Sequence, residues 1–544
     1  MRSITRKDFL GLCALLCLSG CKSNGSGGNG SSSSSVQMIG FNKDLEPVAR
    51  DDFYRTTYEI FPYSFYDSNG DGIGDLNGIR EKLDYISDMG FDQLWLTPVH
   101  PSDTYHKYDV DDYYAIDPTF GTMEDYEALL AECHERGIRV LLDLVLNHTS
   151  DTHQWFLSAV DYLRALPADK DPVQEECPYV WYYIFSREQL DGFVPLEGTP
   201  WFYEARFWSE MPDLNLGNED VREEIRSIMQ FWLDKGVDGF RLDAVTSYVT
   251  GNPEANVEFL RFLEDTGRSI KPDCYLVGEA WTDRASIAAL YASGIDSLFN
   301  FPFADSEGII RSVMNGSYAA SDYVKAMVGA DGAYREANPN YVDAPFYTNH
   351  DMGRSAGFYA LDDGPVTKMA YGLSLFMPGN SFVYYGEEIG MKGSGKDENK
   401  RAPMYWSDDP SAPGMCAGPP NMDDVQMKFP SLENQMADDL SLWRWFTEVI
   451  RVRRAFPAIA RGTTEPVDAV SDESVACFIR RSADDGDVLV AMNLREETAV
   501  KDLSVVGGGL MLAAVLNTNE ESITFEGGSL SLPAYSIAVL TFDA

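Results

Sequence analysis

The chain has 544 residues, 44% of them hydrophobic and 12% aromatic, enough for one large domain with satellites. Its formal charge of −43 argues against a nucleic-acid partner, whose phosphates demand Lys and Arg, and disfavours docking on an anionic lipid surface. A neutral ligand is compatible with it.

The N-terminus reads as a targeting segment. Arg2, Arg6 and Lys7 form a basic start, and Phe9 to Leu18 an apolar run too short for a permanent membrane helix. Leu18-Ser19-Gly20-Cys21 resembles a bacterial lipobox, which implies a signal peptide over residues 1–20, cleavage before Cys21 and lipidation of its thiol. An ordinary secretory signal with an incidental Cys21 is the alternative. Residues 21–50 read as the lipidated Cys and a flexible tether, since Gly25 to Ser35 holds only Gly, Ser and Asn. The expected location is a cell or outer membrane, lipid-anchored and facing outside the cytoplasm. Cys13 and Cys17 leave with the signal. Cys133, Cys177, Cys274, Cys416 and Cys477 remain, an odd set without CxxC spacing, which gives neither a thiolate metal site nor a disulfide framework.

From about residue 56 one theme repeats: amphipathic helix, glycine, apolar strand. Leu76, Ile79, Leu83 and Ile86 mark one helix face, Tyr126, Leu129, Leu130 and Cys133 a second, and Val221, Ile225, Ile228, Met229 and Trp232 a third. Gly90, Gly137 and Gly236 end them, because glycine takes a left-handed conformation cheaply after a helix. The predicted strands are Tyr58–Phe61, Phe91–Leu96, Ile138–Leu146, Val237–Leu242, Tyr275–Gly278, Ser297–Phe301, Ala344–Tyr347 and Phe382–Tyr385. Eight alternating units imply a closed (β/α)8 TIM barrel over residues 51–148 and 218–460. An open six-stranded sheet is the rival, but no G-x-G-x-x-G follows the first strand.

Two stretches break the rhythm. Residues 149–217 form a long excursion after the third strand, rich in Trp155, Trp181, Tyr182, Tyr183, Trp201, Phe202 and Trp208, and read as a small inserted domain. Its aromatics are either walls for a sugar or the domain's own core. Residues 461–544 carry short runs such as Val475–Ile479 and Val488–Met492 broken by Gly and Asp, and read as an all-β sandwich.

Four acidic segments end predicted strands: Asp143-Leu-Val-Leu-Asn147-His148, Gly239-Phe-Arg241-Leu-Asp243-Ala244, Val277-Gly-Glu279-Ala280 and Phe346-Tyr-Thr-Asn349-His350-Asp351. The carboxyl ends of barrel strands carry active sites. Three acids, two histidines and an arginine converging there suit hydrolysis of a glycosidic bond. Glu279 lies in an apolar run, so desolvation raises its pKa; Asp243 lies two residues from Arg241 on one strand face, where a cation keeps it ionised. His148 and His350 offer donors to sugar hydroxyls.

These segments resemble the α-amylase family of retaining glycoside hydrolases. Met211-Pro-Asp-Leu-Asn215, Tyr58-Glu-Ile-Phe-Pro-Tyr-Ser-Phe65, His106-Lys-Tyr108-Asp109 and Tyr384-Tyr-Gly-Glu-Glu388 match as well, and the likeness covers most of residues 56–460. It implies Asp243 as nucleophile, Glu279 as acid/base and Asp351 as the third acid. It also implies Tyr108, Asp109, His148, Arg241 and His350 as substrate-binding residues. Asp67-Ser-Asn69-Gly-Asp71-Gly-Ile73-Gly-Asp75 places oxygen donors at alternate positions in a Gly-rich loop, which suits Ca2+. It resembles the calcium loop of the family's oligosaccharide-cleaving branch; an Asx/Gly turn that binds nothing is the alternative. Thr246 and Ser247 stand where many relatives have Lys-His, while Asn147 and Asp213 match other parts of the family's shared calcium site. Ala244 resembles the α-1,4-specific enzymes rather than the α-1,6-cleaving ones, which carry Val. The resemblance implies a monomeric α-glucan hydrolase cleaving α-1,4 bonds. A 4-α-glucanotransferase, an oligosaccharide α-glucosidase and an inactive surface glucan-binding protein are the alternatives.

Overall fold

Strands Thr56–Ile60, Gln93–Leu96, Arg139–Leu144, Gly239–Leu242, Tyr275–Gly278, Ser297–Leu298 and Ser381–Tyr384 form one parallel sheet. They appear in a computed structural model that describes residues 36–38, 45, 47–359 and 361–543. The sheet runs in chain order from the first strand to the sixth, and the Ser381 strand pairs back onto the first. The segment expected as strand Ala344–Tyr347 fills the remaining gap without becoming a ladder strand. Phe299 bridges Ala344 in parallel, Asn300 N donates to Ala344 O (3.1 Å), and Phe382 N donates to Pro345 O (2.8 Å). Pro345 has no N–H to offer, which limits the ladder there. The barrel closes and the open-sheet rival falls. The sixth strand is also shorter than expected, because Phe301–Phe303, with Pro302 inside, turns into a 3-10 helix.

Strand parity builds the interior in layers. Trp95, Leu141, Tyr275, Val277, Phe299, Phe346 and Phe382 pack as one buried apolar cluster inside the barrel. Two residues further along the same strand faces, Leu141 is followed by Asp143 and Val277 by Glu279. An apolar plug thus supports a charged layer at the carboxyl ends. The outward positions Leu94, Leu96, Val140 and Leu142 belong to the shell shared with the helices.

Helices Met123–Glu135 and Glu219–Lys235 bury the faces their periodicity predicts. Thr122 and Asp125 form a capping box on the first, and Gly236 ends the second at φ +109°. The first predicted helix is instead two, Leu76–Glu81 and Leu83–Met89, broken at Lys82. Lys82 Nζ lies over the Tyr66 and Trp406 rings. Both pieces keep Leu76, Ile79, Leu83 and Ile86 buried, so the apolar face survives the break.

Residues 149–217 hold helix Gln154–Ala165 and a small antiparallel sheet with Phe202–Glu204 between Phe185–Ser186 and Phe193–Pro195. Near the C-terminus a six-stranded antiparallel sheet faces the three-stranded sheet of Ala499–Asp502, Ser529–Leu532 and Thr524–Glu526. Cys477, Ile479, Leu489 and Leu540 face the small sheet; Phe478, Val490, Met492 and Val539 join the core shared with the barrel. The sixth strand of the large sheet is Val36–Met38, paired antiparallel with Leu510–Asn517. The expected tether of residues 21–50 is therefore not wholly a tether. Val36-Gln-Met38 follows the Gly/Ser run with residues able to join an open sheet edge. Further on, the Ala49 and Arg50 carbonyls accept from the buried Arg55 and Arg139 side chains. Cys21 and the signal segment lie outside the described residues. Among the described residues no helix is long and apolar enough to cross a membrane, and Cys133, Cys177, Cys274, Cys416 and Cys477 are buried free thiols.

Candidate active site

The carboxyl ends of the third, fourth and fifth strands meet at Arg241. Its Nη1 donates to Asp143 Oδ1 (2.9 Å) and Asp243 Oδ1 (2.6 Å), and its Nη2 lies 2.9 Å from Glu279 Oε1. One planar guanidinium thus spans two of the three expected catalytic carboxyls, Asp243 and Glu279. Asp143 is fully buried and accepts from Trp95 Nε1 and Tyr108 Oη as well (3.0 Å each). It has only donors around it and neutralises the arginine.

Glu279 and Asp351 differ in environment. Burial pushes Glu279 up to about 7; Arg241 opposes this, and the charges of Asp243 and Asp351 add to it. Its Oε2 accepts from Ala244 N (3.2 Å). Ala244 sits at φ +48°, a conformation a small residue tolerates better than a branched one, and this bends the chain so that its N–H meets the acid.

Asp351 takes the opposite course. Burial would raise its pKa, but His350 and Arg401 hold it far below the usual carboxylate range. Arg401 Nη2 donates to Asp351 Oδ1 (2.7 Å), and Arg401 Nη1 to Tyr105 Oη (2.8 Å). His350 Nε2 lies 3.1 Å from Asp351 Oδ2 and 2.7 Å from Tyr108 Oη.

The remaining candidates line the same mouth. Tyr108 stacks parallel on the His350 ring at 5.3 Å, half-buried. The preceding Lys107, at φ +65° and paired with Asp117 (2.7 Å), turns it inward. Asp109 is buried and accepts from Ser102 Oγ (2.7 Å) and Thr104 Oγ1, so its lone pairs are already shared with hydroxyl donors. His148 is held uncharged by burial, and its Nε2 lies 3.2 Å from Tyr108 O.

Of the aromatic excursion, Tyr182, Tyr183 and Trp201 are buried in the inserted domain itself. Trp155 packs on Tyr113, His153 and Tyr182. Phe207 and Trp208 are exposed, and Phe207 lies against His148 at 5.4 Å. Sequence reasoning missed Trp281, 52% exposed, stacked on Phe301 at 5.0 Å and two residues beyond Glu279. It also missed Arg401, which no motif marks, and Glu59, whose motif was read without its acid.

The Tyr384–Glu388 motif is a buried scaffold: Glu388 accepts from Tyr58 Oη (2.5 Å) and Tyr85 Oη (2.8 Å). In the Asp67–Asp75 loop the oxygens turn onto the loop itself. Asp67 accepts from Asn69, Gly70 and Gly72 N, Asn69 from Asp71 N, Asp71 from Ile73 N, and Asp75 from Ser68 and Gly78 N. Among the described residues no three His, Cys, Asp or Glu side chains gather as a metal centre. The all-oxygen donor set and the left-handed Gly70 and Gly72 fit calcium in chemistry. Asn147 donates its amide to Asp213 (3.2 Å), and burial and Glu204 push Asp213 up to about 7.

A closed barrel whose mouth holds Asp243 and a raised Glu279 on one guanidinium, and a strongly lowered Asp351 on a second, has the parts of a glycosidase site. The comparisons agree. The family model for the α-amylase catalytic domain matches residues 59–462. The chain is 38% identical over 445 residues to alpha-amylase 3 of Dictyoglomus thermophilum, covering 80% of this chain and 84% of that one. It is 30% identical to an oligo-1,6-glucosidase of Heyndrickxia coagulans, covering 82% and 92%. Among solved structures, Eubacterium rectale Amy13B superposes with a TM-score of 0.90 at 46% identity, covering 92% of this chain and 98% of that one. The alpha-amylase of H. orenii gives 0.78 at 35% identity, covering 90% and 100%. The chain belongs to the α-amylase family and is a glycoside hydrolase.

Proposed function

We propose that this enzyme cleaves α-1,4-glucosidic bonds of starch, maltodextrins or related glucans by double displacement with retention. The observation that carries the reading is Arg241 spanning Asp243 and Glu279, with Glu279 held protonated up to about 7. Asp243 attacks the anomeric carbon as Glu279 gives its proton to the leaving oxygen. The C1–O bond breaks and a glycosyl–Asp243 ester forms. That ester removes the Asp243 charge, one of the causes that raise Glu279, so the newly formed Glu279 carboxylate is now the more stable form. Glu279 then takes a proton from water, the water oxygen attacks C1, and Asp243 leaves as carboxylate. Asp351, ionised throughout, faces the positive charge that develops on the sugar.

Ala244 beside the nucleophile supports α-1,4 selectivity, and the exposed Trp281 on the Glu279 side supports a subsite for a further sugar ring. An α-1,6 specificity is the second reading, since a relative at 30% identity is an oligo-1,6-glucosidase. Incubation with maltoheptaose, amylose, pullulan and isomaltose decides between them. Ready cleavage of maltoheptaose with slow attack on isomaltose supports the proposal; the reverse order overturns it, and chain elongation without hydrolysis identifies a transferase.

Calcium in the Asp67–Asp75 loop would brace the first βα connection, away from the acids. Lipidation at Cys21 would hold the enzyme on a membrane outside the cytoplasm, with the Gly/Ser run letting the mouth reach a polymer too large to enter the cell. Cys21→Ala then releases active enzyme or leaves the signal uncleaved; a wild-type chain without added lipid mass at Cys21 refutes the anchor.

A further inference from the structure

Glu59 is the one charged residue of the barrel strand Thr56–Ile60, 1% exposed, and its Oε1 faces two nitrogens of one residue. His350 N lies 3.3 Å from that oxygen and His350 Nδ1 2.7 Å. Two contacts converging on one oxygen suit a carboxylate acceptor, which places the ring proton on Nδ1; burial raises Glu59, and the bonds from His350 oppose that rise.

The other ring nitrogen is fixed by a separate chain of bonds. Tyr108 Oη is 3.0 Å from Asp143 Oδ2, which also receives Trp95 Nε1 and Arg241 Nη1. Asp143 is surrounded by donors, so Tyr108 spends its single proton there and can only accept from His350 Nε2 at 2.7 Å. Asp351 Oδ2, 3.1 Å from the same nitrogen, can likewise only accept. Both ring nitrogens therefore carry protons.

We infer that Glu59 is a positioning residue for the proposed glycosidase site: it holds His350 as an imidazolium, and through it sets the direction of Asp351 and Tyr108. The groups facing His350 are Glu59 from the first strand, His106 and Tyr108 from the loop after the second, Asp143 and Arg241 from the third and fourth strands, Glu279 from the fifth, and Asp351 and Arg401 beside it. Burial opposes the charge, but Asp351 and Glu59 raise His350 to about 10. With Glu59 made neutral, His350 loses its proton at lower pH. Above that pH a bare Nε2 competes for the Tyr108 proton, and its lone pair faces Asp351.

The test uses the full enzyme with 15N-labelled histidine, the His350 signals being assigned through His350→Gln. In wild type both ring nitrogens should show imidazolium shifts beyond about pH 8, and in the near-isosteric Glu59→Gln His350 should titrate at least one unit lower. The active form is present below the lowered His350 pKa and lost above it. Relative to its own value in mild acid, the His350-dependent fall in kcat/KM of Glu59→Gln should therefore set in at least one pH unit lower than that of wild type. Glu59→Asp, which keeps the charge, should stay closer to wild type, and all Tm values should agree within a few degrees. A wild-type His350 with one bare nitrogen at neutral pH overturns the inference whatever the substrate proves to be. So does a Glu59→Gln enzyme that keeps the wild-type His350 titration and pH profile, or loses activity equally at every pH.

Discussion

Replacing Asp243 by Asn tests the electrostatic coupling of the two central carboxyls apart from catalysis. The amide keeps the shape but removes one negative charge next to Glu279, a charge that raises the Glu279 pKa. Carboxyls in a retaining site lie about 5 Å apart, and at an effective dielectric of 20 such a charge is worth about 3 kcal/mol. Arg241 screens part of this through its own contacts to both groups. At roughly 1.4 kcal/mol per pH unit, Glu279 should titrate one to two units lower in Asp243→Asn than in wild type. Glutamate labelled with 13C at the side-chain carboxyl, with Glu279→Gln identifying the signal, reads this directly although the variant turns over several orders of magnitude more slowly. In wild type the protonated acid is present below about 7 and lost above it, so the alkaline limb of kcat/KM should follow the same titration. A Glu279 signal that does not move in Asp243→Asn refutes the coupling, and with it the explanation of how one residue serves first as acid and then as base.

Ala244→Val places a β-branched side chain at φ +48° beside the nucleophile; maltotriose turnover should drop by about 1–3 kcal/mol of transition-state binding relative to isomaltose, and unchanged relative rates exclude Ala244 as a linkage determinant. Asp71→Ala should lower Tm and abolish the response of Tm to chelator, with little effect on activity at room temperature; a wild type indifferent to chelator argues that the loop binds no ion of consequence. Trp281→Ala removes an exposed ring stacked on Phe301, and should raise KM for maltoheptaose roughly fivefold, about 1 kcal/mol, while sparing short substrates; an equal effect on all chain lengths assigns Trp281 to packing alone.

Much of this was legible because barrel chemistry is periodic. Asp143 and Glu279 each follow an apolar residue of the same strand face, Leu141 and Val277, so the strand that builds the plug also delivers the acid. Helix faces such as Tyr126, Leu129, Leu130 and Cys133 were fixed by spacing alone. What was hidden depends on contacts distant in sequence. Arg401 reaches Asp351 from a loop beyond the last barrel strand, where nothing in the local pattern marks it. Glu59 sits within a quoted motif, yet its meaning lies in His350, 291 residues away. The Ala344 segment has strand composition, but Pro345 removes the donor that a ladder needs. Val36–Met38 is too short to stand out from its Gly/Ser neighbours and becomes a strand only because a sheet edge awaits it.

Retention through Asp243 is tested most directly by the anomer first released from maltoheptaose. Followed by proton NMR in the first minutes, before mutarotation mixes the products, the new reducing ends should appear in the α configuration. First release of the β anomer would mean that water attacks in a single displacement, and would contradict the assignment of Asp243 as nucleophile.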